Sequence, residues 1–86
     1  MRVHNRIKHG RHHDGGDYWV YEFPNGYGAS VIRTPKSYGG SHGLFEVARL
    51  HNGEIDESVN VTGGFDETEL DEMLTEIAFL PRRERT

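Results

Sequence analysis

DYWVYEFPNGYGASVIRT, residues 17–34, decides the fold. Residues 17–23 are rich in aromatic and β-branched types, which suit a half-buried pleated strand. Pro24-Asn25-Gly26 follows, and an Asn-Gly pair supplies the backbone angles of a tight hairpin turn. Residues 27–34 then form a second strand, stopped by Pro35. Two strands joined by so short a turn must run antiparallel.

Working outward, residues 35–43 carry Gly39, Gly40 and Gly43 and read as a flexible loop. LFEVARLH, residues 44–51, is a third strand and the most apolar. Asn52-Gly53 repeats the hairpin signal, and EIDESVNV, residues 54–61, reads as a fourth strand. The expected sheet is a four-stranded antiparallel meander.

GGFDETELDEMLTEIAFLP, residues 63–81, predicts a helix. Asp66 and Glu69 have capping-box spacing, and Phe65 and Leu70 stand where a hydrophobic staple would. Leu70, Met73, Leu74, Ile77 and Leu80 make one apolar stripe, and Pro81 ends the run. MRVHNRIKHGRHHDGG, residues 1–16, has no sustained period and reads as a flexible, basic, His-rich arm. The expected organisation is that arm, one α+β domain over 17–81 with the helix packed on one sheet face, and a basic tail over 82–86.

Charge is segregated in the same way. The arm sets Arg2, Arg6, Lys8 and Arg11 against Asp14, while residues 15–80 set Arg33, Lys36 and Arg49 against twelve acids. An acidic body repels nucleic-acid phosphates, so nucleic acid is a disfavoured partner and solubility is the simpler meaning of the charge. There is no cysteine, hence no disulfide or thiolate metal site. No apolar run approaches the ~20 residues of a membrane span, and the N-terminus lacks a signal-peptide core. The expectation is a soluble cytoplasmic protein that does not engage a membrane.

Several chemical motifs can be weighed. Gly26-Tyr27-Gly28 begins like a dinucleotide fingerprint, but the third glycine is missing and a strand follows where a helix N-terminus is needed. His4, His9, His12, His13 and Asp14 offer metal-ligand chemistry, yet on a mobile arm they favour adventitious binding over a built site. The carboxylates Glu67, Asp71, Glu72 and Glu76 lie in polar runs with no nucleophile or orienting partner. No catalytic triad is present in outline. A non-enzyme without cofactor or metal is expected.

Four strands at about 4.8 Å make a sheet roughly 19 Å wide, whereas one helix covers about 10 Å. Trp19, Tyr21 and Phe23 lie on one side of the first strand, Tyr18 and Val20 on the other. Leu44, Ala48 and Leu50 likewise oppose Phe45 and Val47. Apolar surface is left over unless the arm, the loop or a second copy covers it, and such patches mark interaction sites.

NGYGASV (25–31), YGG (38–40), LFEVA (44–48) and the helix ending IAFLP (77–81) together resemble a family of small bacteriophage and prophage accessory proteins. The resemblance spans roughly residues 18–81 and implies an α+β phage product made in the bacterial host cytoplasm. It implies no catalytic residues. At residues 57–69 the family pattern has a Thr-Pro and a longer polar turn, so no contact carries over there.

The expected function is binding of a host or phage protein through an aromatic sheet face. Trp19 and Tyr21 are the anchors on the first strand, Tyr27 and Tyr38 flank the loops, and Arg33 adds a polar contact, these being types that dominate interfaces. A homodimer through the leftover face is a further expectation. The alternatives are nucleic-acid association through Arg2, Arg6, Lys8 and Arg11, or an acidic DNA mimic that inhibits a DNA-binding protein.

Overall fold

The computed structural model describes residues 6–37 and 39–81, apart from the side chains of Arg6 and Ile7. In chain order come β1 (Arg6–Arg11), β2 (Asp17–Glu22), β3 (Tyr27–Arg33), a 3-10 turn (Gly40–His42), β4 (Phe45–His51), β5 (Glu54–Ile55), β6 (Thr62–Phe65) and α1 (Glu67–Ala78). The α+β class, the antiparallel pairing and the packed C-terminal helix agree with expectation. The strand count does not: among the described residues the sheet has six strands, in the order β1-β2-β3-β4-β5, with β6 also paired to β4.

Two departures account for the difference. Residues 6–11 form β1 and pair with β2 from Arg6↔Tyr21 to Arg11↔Asp17, so this part of the arm belongs to the sheet. Its sequence, RIKHGR, has no strand periodicity. It is held by what it meets on β2: the His9 ring stacks on Trp19 at 5.1 Å and 4°, and the Tyr18 ring lies where a Cβ on Gly10 would have to go.

The run 54–61 is not one strand either. β5 pairs with Leu50 and His51, and β6 with Phe45 to Val47, so the two share the outer edge of β4 end to end. Between them the chain turns around Asp56. Its carboxylate accepts from the Ser58 backbone N–H at 3.1 Å and from Arg49 Nε and Nη2 at 3.0 and 2.8 Å. That local turn competes with continued pairing, and it leaves Val59 and Val61 exposed.

Both hairpin turns occur, with different chemistry. Asn52 and Gly53 both have positive φ, 53° and 83°, as a two-residue type I′ turn requires. In Pro24-Asn25-Gly26 only the glycine does, with φ 88°. Asn25 instead directs its Nδ2 to the carbonyls of Ile77, Ala78 and Leu80, at 2.8, 3.2 and 2.9 Å. It thereby reaches the Ala78 and Leu80 carbonyls and adds a second donor to the Ile77 carbonyl, which also accepts from Leu80 N–H, at an end of α1 where no basic side chain stands in the last turn.

The other end of α1 has the expected reciprocal cap. Glu69 N–H donates to Asp66 Oδ1 at 2.8 Å, and Asp66 N–H to Glu69 Oε1 at 2.9 Å. Leu70, Leu74 and Ile77 are buried and face β3, β4 and β6, with Met73 and Leu80 at the margin. The core they close contains Trp19, Tyr21, Phe23, Tyr27, Ala29, Val31, Phe45 and Val47.

Candidate functional site

Register and alternation sort the sheet into two faces. Trp19 is opposite Val31, Tyr21 opposite Ala29, and Val31 opposite Val47, so these side chains share the face under α1. Trp19 is 7% exposed, Tyr21 1% and Tyr27 9%. As an exposed aromatic anchor surface, this set is therefore corrected: the rings face the helix-covered side and build the core.

The helix does not cover that face alone. Trp19 lies toward the β1 side, beyond the strands that α1 packs on. It is closed instead by side chains: His9 stacks on it from β1, Phe45 meets it edge-on at 5.4 Å, and the Arg33 guanidinium lies 5.6 Å from its centroid and 4.9 Å from that of Phe45. Arg33 thus caps the end of the core through cation–π contacts. Arg49 makes a similar contact with Tyr27, at 5.0 Å.

The remaining candidates scatter. Lys8 Nζ sits 5.9 Å from the Tyr18 centroid on the opposite face, and Arg11 is exposed at the β1–β2 turn. Arg2, Tyr38 and the side chain of Arg6 lie outside the described residues, as does the basic tail 82–86. No single patch brings the named phosphate-binding residues together among those described.

What the fold does assemble is the other face of the sheet. Tyr18 and Val20 on β2, Ser30 and Ile32 on β3, Ala48 and Leu50 on β4, and Ile55 on β5 all project there, adjacent in register: Tyr18↔Ile32, Val20↔Ser30, Ser30↔Ala48, Leu50↔Ile55. Tyr18, Val20, Ile32 and Ala48 are only half-buried, and Ile55 is 52% exposed. The described α-helix lies on the opposite side. Lys8, Glu22 and Glu46 give this face a sparse charged rim. Alternation along β2 already separates Tyr18 and Val20 from Trp19 and Tyr21; the side that α1 selects is what singles them out.

A second concavity, of about 280 Å³, opens between α1 and the segment 59–62, with Val47, Val59, Met73, Ile77 and Leu80 in its walls. Arg49 reaches it but is committed to Asp56, whose side chain is 6% exposed. The Ser58 hydroxyl and backbone N–H, helped by the Arg49 bonds and charge, outweigh burial and lower the Asp56 pKa from its ordinary 3.8 to about 2. This ion pair locks the turn that frees residues 57–61 from the ladder.

Against this geometry, comparisons with known proteins add no relative: no protein family, no curated protein and no solved structure matches the chain. Among the described residues no helix is long and apolar enough to cross a membrane.

Proposed function

We propose that this protein is a non-enzymatic binding protein whose open sheet face receives an apolar helix of another protein. The supporting observation is the set of half-buried Tyr18, Val20, Ile32 and Ala48 with exposed Ile55, which runs diagonally across β2 to β5 past the buried Leu50 on the side that α1 leaves free. Centre to centre those strands span roughly 14 Å, close to the ~10–12 Å width of a helix with its side chains. The chain covers part of its own other face in this way, with a 12-residue helix presenting Leu70, Leu74 and Ile77. The thin charge of the rim fits an apolar contact better than a phosphate backbone. We take a host or phage protein as the source of that helix, on the resemblance read in residues 18–81.

The test is a pair of substitutions on the open face, Val20→Glu and Ile32→Glu. We expect both variants to keep the circular dichroism spectrum and melting profile of the parent yet lose the bound protein. Light scattering of the isolated chain decides the competing occupant. A dimer that both substitutions dissolve assigns the face to a second copy and overturns the proposal.

A further inference from the structure

The turn between β1 and β2 places His12, His13 and Asp14 so that one ligand atom from each lies within 4.8 Å of the others. Nε2 of His13 is 3.6 Å from Oδ1 of Asp14, and Nδ1 of His12 is 3.9 Å from Oδ2. Two ligand atoms at about 2.1 Å from one tetrahedral ion stand roughly 3.4 Å apart. The two contacts use different oxygens of Asp14 and the three ligand atoms lie up to 4.8 Å apart, so closing on a cation requires the side chains to draw together. The two rings stack, with centroids 4.3 Å apart and planes inclined by 25°.

The expectation of adventitious binding rested on a mobile arm, and residues 12–16 of it are pinned in a turn. Gly15 N–H donates to the His12 carbonyl at 2.9 Å, and His12 N–H to the Gly16 carbonyl at 3.1 Å. Gly16 has φ 81°, and a Cβ there would collide with the Arg33 carbonyl oxygen, so the turn sits directly against the end of β3. His12 Nδ1 accepts from Asp14 N–H at 3.0 Å, a bond that must break before this nitrogen can take an ion.

We infer that His12, His13 and Asp14 form a site for a divalent transition-metal ion of the zinc type. Two imidazoles and one carboxylate suit Zn²⁺, Ni²⁺ or Cu²⁺ rather than the hard cations Mg²⁺ and Ca²⁺. Three protein ligands leave the remaining position to water. The ion fastens the hairpin that carries β1 across Trp19, so it acts on the fold and stands apart from the open face.

The full chain is titrated with zinc chloride and followed by calorimetry and by amide chemical shifts. We expect one ion per chain, with shifts centred on residues 11–17 and reaching 33–35. His13 is 84% exposed, so His13→Gln leaves the fold intact while lowering affinity by about tenfold or more. Zinc raises the melting temperature of the parent and, at the same concentration, raises that of the His13→Gln variant less. His4→Gln and His42→Gln change neither quantity. The inference is overturned by an absence of stoichiometric binding, by a His13→Gln variant that binds as tightly as the parent, or by a His4→Gln variant that loses the ion.

Discussion

At the scale of single residues, Asp56 carries the clearest electrostatic consequence. Its pKa lies near 2 in the fold, below the ordinary carboxylate value, because Ser58 and Arg49 favour the charged form. A carboxyl with a depressed folded pKa contributes stability that is complete above about pH 4 and is lost as pH falls toward 2. Asp56→Asn removes that contribution at neutral pH and has less to remove in acid. The urea midpoints of parent and variant should therefore differ most above pH 5 and converge toward pH 2. A gap that does not change with pH contradicts the assignment. Gly16 gives a steric counterpart. Gly16→Ala demands a positive φ from alanine and a collision with β3, so we expect a loss of about 1–3 kcal/mol by chemical denaturation. The Asp56 turn was not legible in the sequence. The alternating Ile55, Val59 and Val61 suggest a strand, and only the contact with Arg49, seven residues back, shows why the chain leaves the ladder.

At the scale of elements, β2, β3, β4 and α1 could be read directly. Period-two alternation, turn residues and a complete capping box all point the same way in them. β1 could not, because its stability comes from partners rather than from its own pattern: the stack of His9 on Trp19 and the space that Gly10 leaves for Tyr18. Deleting residues 1–11 should uncover the single tryptophan and move its fluorescence emission to the red, with a lower melting temperature. Unchanged emission contradicts the role given to β1. Asn25 joins two elements far apart in sequence, since a turn residue of β2–β3 caps the end of α1. Asn25→Ala takes the amide donor from the Ala78 and Leu80 carbonyls, while Ile77 keeps the Leu80 N–H, and should cost about 1–3 kcal/mol. A Gly26 variant, by contrast, disturbs the turn alone.

At the scale of the whole molecule, the sheet has one closed and one open face, and their chemistry differs. The bulky rings Trp19, Tyr21, Phe23 and Tyr27 went to the face that carries α1, Trp19 being closed there by His9, Phe45 and Arg33, while the smaller set of Tyr18, Val20, Ile32 and Ile55 was left on the other. Alternation separates the two sets but does not say which one the helix takes. That choice depends on how Leu70, Leu74 and Ile77 fit the rings of β2, β3 and β4, a tertiary property with no signature in the local pattern. Candidate anchors picked by residue type alone therefore fell on the core. The closed face also explains why Trp19→Ala should unfold the domain, whereas a charge at Ile32 should not.

The most direct measurement is capture from bacterial lysate, after nuclease treatment, with three forms of the chain shown to be folded: the parent, Ile32→Glu, and a variant neutralising Glu67, Asp71, Glu72 and Glu76 on α1. The account predicts a stoichiometric protein that the parent and the α1 variant retain and Ile32→Glu loses, with mapped contacts on an apolar helix of that protein. Retention by Ile32→Glu, or loss confined to the α1 variant, contradicts it and moves the interaction to the acidic helix.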